Sequence, residues 1–572
     1  MDFPPTLLPF FVVVPLVASA VAALLPWSAA RRGLALLVPA AGIAGGGVLL
    51  AAVSGPGGQA GTGVIATGIG QFVGGVSIPL VADTLSALMI MTTSVVALAA
   101  NWFAEVVGEN RVRFFPSMTL MLLGGVWGAL LTADLFNLFV FIEIMLMPSF
   151  GLLTMTGTWA RLSAGRTFIL VNLVTSMCLL AGVGLVYGVV GTTNLAALAG
   201  AAGPRASEAG FDDGVFGTQW QLWLALGMVL IALCVKSGST PVHTWLPRAY
   251  GFTSPTVMAL FSGLHTKVGV YAVLRVYMTV FDGDQRWAQV ILGFAVAGML
   301  IGSFAGLGET TLRGVIAYQM VNGIPFILIA LAFLSGNAGL MLSAAVFYML
   351  HHMVSAAAMI LAAGAVEETY GTGRLRRLSG LMRRDPLVST VFAAAALSLA
   401  GLPPFSGLWG KLLIVLGISA DSGWKVWVGL AAVVVASVGA LLSLLYAWRK
   451  TFWGRPMDPQ DMDPSLAVSG RMTLPSAALM AVSVVMFVAV GPVTGWTRDA
   501  AAGLIDTTGY VRAVLGDPEE AVGVVLPPEE LLAPYDPSAP TTSDDTPPAE
   551  TPQADTPQAD TPQADTPQGG DR

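Results

Sequence analysis

The residues of this sequence most suited to chemistry are ionisable side chains within otherwise apolar stretches. They include a glutamate, three of the five lysines, an arginine and all four histidines: Glu143, Lys236, Lys267, Lys411, Arg275, His243, His265, His351 and His352. A lysine at mid-bilayer costs about 2.5 to 3.5 kcal/mol on insertion scales, so examples without a function should be rare. Burial and neighbouring charges change how tightly such groups hold a proton. The chemistry they suit is therefore proton binding and release inside a membrane.

A glutamate and a lysine in such surroundings can form a switchable pair, because moving one partner changes the proton affinity of the other. Glu143 lies in the middle of "LFNLFVFIEIMLMPSFGLL", and Lys236 begins "KSGSTPVHTWLP". Histidine can extend a chain of proton sites because its unperturbed pKa lies near neutrality. His351 and His352 open "HHMVSAAAMI". The alternatives are a structural ion pair that fixes helix packing and, for the other two histidines, a core or interfacial position.

The composition indicates that membrane helices position these groups. Of 572 residues, 55% are hydrophobic and 11% charged, and the mean hydropathy is +0.75, whereas a soluble domain has about 25% charged residues. We expect an all-α polytopic membrane protein. Windows of about 20 apolar residues predict fourteen spans, near 6–26, 33–53, 78–102, 114–132, 135–156, 167–190, 220–248, 255–280, 287–307, 312–334, 338–364, 386–418, 424–448 and 472–495.

The seventh and twelfth spans are too long and too rich in Gly and Pro for continuous helices. Pro241 follows Lys236 by five residues, and Pro403 and Pro404 precede Lys411. Non-helical backbone at membrane depth persists only where protein or a water-filled cavity satisfies it. Spans four to eight and nine to thirteen then form two five-helix repeats, each with a broken fourth helix and with inverted topology, which is a pointer to ion sites. A hinge without an ion role is the alternative.

The positive charges predict the orientation. With fourteen spans, one set of seven loops holds seventeen basic residues and the other six loops hold three. Cytoplasmic loops carry the excess of Lys and Arg, so we expect both termini outside a cell membrane.

The predicted organisation has five parts. They are three N-terminal helices (1–110), the first repeat (111–281), the second repeat (282–450), a loop with the last helix (451–496) and an acidic, Pro-rich external tail (497–572). The tail ends in three copies of TPQAD. Such a composition cannot bury a core, so we expect disorder from about 527 and assign the tail no transport role.

Three motifs carry a resemblance to a known family. They are "ADLFNLFVFIEIMLMPSFGLL", "KSGSTPVHTWLPRAYGFTSPTVMALFSGLHTKVGVYAVLRVY" and "GLPPFSGLWGKL". Over roughly residues 75 to 450 the chain resembles the antiporter-like subunits shared by respiratory complex I and Mrp cation/proton antiporters. The stretch "FNLFVFIEIM" is most similar to the D subunit of the Mrp system.

The resemblance implies roles for the buried charges. Glu143 matches the family's acidic residue on the fifth helix, and Lys236 matches the lysine with which that acid pairs. Lys267 matches the central lysine of the eighth helix, and Lys411 the terminal lysine of the broken twelfth. Protons would move along this line through a half-channel in each repeat.

The chain departs from the family pattern on the eleventh helix. His351 falls where members commonly have histidine, but Ser355 stands where many carry a lysine. A serine cannot hold a charge. We therefore expect the link between Lys267 and Lys411 to rely on His351, His352 and water.

The function these features favour is the proton-translocating subunit of a multisubunit Na⁺/H⁺ antiporter, a secondary transporter rather than an enzyme. By the resemblance, its partners are other membrane subunits, H⁺, Na⁺ and the lipid bilayer, and we expect no nucleic acid, cofactor or metal. Neither GxxxxGK[ST] nor a suitable GxGxxG occurs, and Cys178 and Cys234 form no metal-ligand pattern. Two alternatives stay open: a proton-pumping subunit of an NADH- or ferredoxin-quinone oxidoreductase, and a scaffold whose ion pairs only hold helices together.

Overall fold

The computed structural model describes residues 3–54, 63–72, 75, 77–155, 157–204, 206, 217–455, 457, 463 and 465–516. The TPQAD repeats and the predicted disorder from about 527 lie outside these residues. Within them the chain forms twenty α-helices: α1 Phe10–Leu24, α2 Ser28–Val53, α3 Thr84–Val107, α4 Phe115–Leu131, α5 Leu135–Thr154, α6 Trp159–Val190, α7 Thr218–Ser237, α8 Trp245–Tyr250, α9 Pro255–Leu260, α10 Thr266–Val280, α11 Ala288–Ala305, α12 Leu312–Leu328, α13 Ala338–Tyr370, α14 Leu381–Arg384, α15 Pro386–Ala400, α16 Gly407–Ser419, α17 Trp424–Thr451, α18 Gly470–Val488, α19 Val490–Ile505 and α20 Thr508–Leu515.

The helices confirm a polytopic membrane protein. Twelve helical segments in the described part of the chain are long and apolar enough to cross a bilayer, and each overlaps one predicted span. The shorter apolar helix α4 coincides with the fourth predicted span, and α15 and α16 together cover the twelfth. The total of fourteen spans, the inverted repeats and the domain boundaries remain predictions.

Both predicted helix breaks are confirmed. α7 ends at Ser237, where Gly238 has φ 82°, and the chain turns until α8 begins at Trp245. α15 ends at Ala400, where Gly401 has φ 91°, and α16 begins at Gly407. Glycine adopts this left-handed conformation without the steric penalty of a Cβ, so it ends each half-helix.

Three features of the fold were not predicted. A two-stranded antiparallel hairpin, β1 Ile65–Gly68 and β2 Pro79–Ala82, lies between α2 and α3. A π-helical segment, Phe261–His265, separates α9 from α10 within the eighth span. Finally, helical structure continues past the last predicted span as α19 and α20.

The centre of the fold is α13, whose most apolar stretch, long enough to span a membrane, is completely buried. It packs against α3, α9, α12, α15, α16, α18 and α19. Residues on α13 therefore face elements of both predicted repeats.

Candidate functional site

The site begins with a glutamate and a lysine on neighbouring helices. Glu143 lies on α5 and Lys236 on α7, and Ser176 of α6 lies between them. The Ser176 hydroxyl donates to Oε1 of Glu143, and Nζ of Lys236 donates to Oγ of Ser176 across 2.8 Å. The predicted pair is thus brought together through a serine that no sequence pattern singles out.

Lys236 owes its position to the break that follows it. It lies in the last turn of α7 with only 2% of its surface exposed. A helix C-terminus carries partial negative charge, which favours a cation there. One of the freed carbonyl groups, that of Val235, accepts hydrogen bonds from the Gly238 amide and from the Trp245 indole, each at 3.0 Å.

Lys267 is the second residue of α10, which directly follows the π-helical segment. Its ammonium group donates to the Ser262 carbonyl at 3.4 Å and to the Thr266 hydroxyl at 3.3 Å, and the side chain is fully buried. π-helical turns inside α-helices are frequent at functional sites. Here the segment places a carbonyl oxygen within reach of the lysine.

His265 joins the row from the same segment. Lys236 acts on it electrostatically. The centre of its ring lies 5.5 Å from the ring centres of Phe168 and Phe261. Within the described residues neither ring nitrogen has a hydrogen-bond partner, although the side chain is only 1% exposed. From the sequence, His265 could equally have been a core residue without a role in proton transfer. Its position two residues before Lys267 was the one feature that pointed to the site.

His352 is the next group in the row. Its Nε2 donates to the carbonyl oxygen of Gln319 at 3.2 Å, and Lys267 acts on it electrostatically. The ring fits because Gly323 faces it: a Cβ there would lie 1.9 Å from Nε2.

His351 points to another side of α13. Its Nδ1 lies 2.8 Å from the hydroxyl of Ser406 and 3.2 Å from that of Ser355. The side chain is fully buried, and the ring meets that of Tyr348 edge-on with centroids 5.5 Å apart.

Lys411 ends the row beside the second helix break. Its Nζ donates to the carbonyl of Ala400 at 2.9 Å, at the C-terminal end of α15, and lies 5.2 Å from the centre of the Phe326 ring. Lys411 and His351 interact electrostatically. Both lysines at the breaks therefore lie beside the carbonyl end of a half-helix.

The six residues predicted for the site belong to one series that also includes Ser176 and His265, and every member except the half-buried Glu143 is buried. Hydrogen bonds join Glu143, Ser176 and Lys236. Electrostatic interactions link Lys236 to His265, Lys267 to His352, His352 to His351, and His351 to Lys411. His265 lies two residues before Lys267 in the chain. The roles assigned to these residues remain predictions.

Arg275 lies apart from the series. It forms a buried ion pair with Asp83 at 2.5 Å, between the rings of Tyr271 and Tyr510. This arrangement links the start of α3 and the middle of α10 to α20. Among the described residues, no group of three or more His, Cys, Asp or Glu side chains is arranged to hold a metal ion.

Comparison with known proteins identifies similar chains. Residues 132–439 match the model of the family described as NADH:quinone oxidoreductase/Mrp antiporter, TM. The D subunit of the Na⁺/H⁺ antiporter of Alkalihalophilus pseudofirmus is 30% identical over 458 residues, which are 79% of this chain and 89% of that protein. The corresponding D subunit of Bacillus subtilis is 30% identical over 442 residues, which are 77% of this chain and 86% of that protein.

Solved structures share the fold. A chain in the structure of the Mrp complex from Dietzia sp. DQ12-45-1b has a TM-score of 0.78 and 37% identity, covering 90% of this chain and 99% of that one. A chain of respiratory complex I from Thermus thermophilus has a TM-score of 0.70 over 87% of this chain and 100% of its own, and at 22% identity it supports the fold alone.

Proposed function

Because the chain belongs to the NADH:quinone oxidoreductase/Mrp antiporter transmembrane family, we propose that it is the proton-translocating D subunit of a multisubunit Na⁺/H⁺ antiporter. The observation that carries the proposal is the series of ionisable groups from Glu143 to Lys411. We propose other membrane subunits as partners and a bacterial cell membrane as the location, with both termini outside.

The switching step takes place at Glu143, Ser176 and Lys236. While the hydroxyl bridges the two charged groups, each stabilises the other. Separating the helices would break the bridge and change the hold of Lys236 on its proton, which could then pass toward His265 and Lys267. The proton gradient supplies the energy, since one charge crossing 100 mV is worth about 2.3 kcal/mol.

Proteoliposomes that contain the complete complex test these roles. After a Na⁺ gradient is imposed, an internal pH-sensitive dye reports proton flux. Glu143→Ala and Lys236→Ala are expected to abolish the flux while the subunits still co-purify. Lys425→Ala is the matched control, since its 3.0 Å ion pair with Asp421 lies outside the series. Wild-type flux in either series variant would refute the assigned roles.

A redox-driven pump is the second candidate, because the matched family includes NADH:quinone oxidoreductase subunits. The same vesicles separate the two candidates. Flux that follows the Na⁺ gradient without electron donors supports the antiporter, whereas flux that requires NADH or reduced ferredoxin supports the pump.

A scaffold role instead predicts that Lys236→Met changes stability and leaves transport intact.

A further inference from the structure

Four serine hydroxyls and one histidine nitrogen form a closed ring beside α13. Around the ring, Nδ1 of His351 lies 2.8 Å from Oγ of Ser406, which lies 2.8 Å from Oγ of Ser483. Oγ of Ser483 lies 3.1 Å from that of Ser398, which lies 2.8 Å from that of Ser355. The last contact, from Ser355 back to His351 Nδ1, is 3.2 Å. All five side chains are fully buried.

The ring brings together four separate parts of the chain. His351 and Ser355 lie on α13, Ser398 on α15, Ser406 just before α16, and Ser483 on α18. Ser483 lies beyond the segment that matches the family model, which ends at residue 439. The ring is therefore not contained in the part of the chain that carries the resemblance.

Three other buried serines in this protein have a different partner. The hydroxyls of Ser94, Ser149 and Ser389 each donate to the carbonyl four residues earlier on their own helix. This local bond is the usual outcome for a serine inside a helix. The serines of the ring instead face one another, so their positions need a separate explanation.

The number of protons explains what the ring can do. A serine hydroxyl has one proton to donate and can accept two hydrogen bonds, and an imidazole nitrogen donates or accepts according to its tautomer. When Nδ1 is bare, a one-way chain from Ser406 through Ser483, Ser398 and Ser355 to Nδ1 fills four of the five contacts. When Nδ1 carries a proton, the chain runs from Nδ1 through Ser406 to Ser355 and again fills four. The two states differ by one proton, that on Nδ1, and by the direction of the Ser355 hydroxyl, which donates to Nδ1 only in the first state.

Few other titratable groups face His351. Lys411 of α16 and His352 of its own helix act on it, and the ring of Tyr348 packs against it. Gly407 keeps this region close-packed, because a Cβ there would lie 2.9 Å from Cε1 of His351. The other ring nitrogen, Nε2, has no hydrogen-bond partner among the described residues. It remains available to exchange a proton with the rest of the series.

We propose that the serine ring, Ser355, Ser398, Ser406 and Ser483, lets His351 gain or lose the proton on Nδ1 without a net loss of hydrogen bonds. The serines are positioning residues, and His351 is the group that holds the proton. The inference rests on the proposed function, because it explains how His351 serves the relay where Ser355 offers no charge.

Two variants that open the ring test the inference. Ser398→Ala and Ser483→Ala each remove one hydroxyl, and Ser483→Thr keeps it. Ser476→Ala is the matched control, because Ser476 lies two turns earlier on α18, is fully buried, and donates only to the carbonyl of Ala358 at 2.6 Å. Flux driven by Na⁺ is measured over a range of pH in proteoliposomes containing the complete complex, alongside His351→Ala.

We expect the two ring variants to lower flux by about tenfold, the scale of one lost buried hydrogen bond, and to shift the pH of half-maximal flux. Ser483→Thr and Ser476→Ala should keep the wild-type profile. Lower flux with an unchanged pH profile would assign the serines to packing and overturn the inference. Wild-type behaviour of both ring variants, with flux lost in His351→Ala, would overturn it and leave the proposed function standing. Wild-type flux in His351→Ala would overturn the inference and also the relay role of His351, while the antiporter function itself would stand.

Discussion

At the scale of single residues, Ser176 is the most consequential addition to the predicted site. Its hydroxyl donates to Glu143 and accepts from Lys236, so one small side chain links both charges. Hydrogen bonds with charged groups contribute about 1.5 to 3 kcal/mol each, more than bonds between neutral groups. The strength of the switching pair should therefore depend on this serine.

Ser176→Ala is expected to lower Na⁺-driven proton flux by roughly tenfold or more, because the alanine removes both charge-assisted bonds. Ser176→Thr keeps a hydroxyl and should retain most of the flux. The control is Thr175→Val, since the hydroxyl of Thr175 donates at 2.6 Å to the Val171 carbonyl of its own helix. Equal flux in Ser176→Ala and wild type would show that Glu143 and Lys236 couple without the bridge.

The sequence could predict the charged members of the series because ionisable residues are rare and costly in a membrane. It could not predict Ser176 or the ring serines, because hydroxyl residues are common in membrane helices and bond readily to their own backbone. Their role depends on which helix they face. His265 was open for the same reason, since only the packed structure shows that its ring nitrogens have no partner among the described residues.

At the scale of elements, glycines set how closely the helices carrying the series approach. Gly269 of α10 faces α7, where a Cβ would lie 2.9 Å from the Ser237 amide nitrogen. Gly323 of α12 leaves the space that the His352 ring occupies. Proline and glycine clusters also predicted the two breaks, whereas the single glycine of the π-helical segment, Gly263, gave no distinctive signal and the segment escaped prediction.

Gly323→Ala is expected to displace the His352 imidazole, because the new Cβ would lie 1.9 Å from Nε2. Overpacking of this kind costs typically about 1 to 3 kcal/mol, and the bond to the Gln319 carbonyl should be lost. The melting temperature and the proton flux of the purified complex should both decrease. Gly293→Ala on α11 is the control, as no atom lies within 4 Å of its added Cβ. Similar losses in both variants would contradict this account.

A second prediction concerns the pair that joins α3 to α10. Asp83 also accepts from the amide of Ser86 at 2.8 Å, so it caps α3 while it neutralises Arg275. Asp83→Asn would leave a buried arginine unpaired and should destabilise the fold by about 3 to 5 kcal/mol. Arg32→Gln, which removes a pair with Glu105 whose side chains are 29% and 30% exposed, should cost about 1 kcal/mol or less. Calorimetric unfolding of the two variants measures both losses of stability. Equal losses would mean that the burial of the Asp83–Arg275 pair does not add to its contribution to stability.

At the scale of the whole molecule, one end of the helix bundle is held by a charged cluster that connects distant elements. Glu109, between α3 and α4, faces Ser254 and Thr256 at the start of α9 and also Glu368 and Arg161. Beside it, Arg313 of α12 pairs with Glu367 of α13 at 2.6 Å. Elements from both predicted repeats therefore meet at this end, as they do along α13.

Burial raises the pKa of Glu109, and the hydroxyls of Thr256 and Ser254 offset this effect only in part. The folded protein thus holds this proton more tightly than the unfolded chain does. By linkage, the resulting stabilisation is complete below the ordinary glutamate pKa and is lost as pH rises through the raised pKa. Ionisation of Glu109 should therefore weaken this end of the bundle toward neutral pH.

Glu109→Gln stays uncharged at every pH, so its stability should rise relative to wild type as pH increases, by up to about 1.4 kcal/mol of unfolding free energy per pH unit within that window. Thermal unfolding of the detergent-solubilised complex from acid to neutral pH measures the difference. Asp463→Asn provides a comparison of opposite sign, because hydrogen bonds from Ser465 lower the pKa of Asp463. Its stability relative to wild type should fall, not rise, as pH increases. A difference between Glu109→Gln and wild type that did not change with pH would contradict this account. It would mean that the carboxyl group of Glu109 ionises as readily in the folded protein as in the unfolded chain, so that the charged cluster makes no pH-dependent contribution to stability.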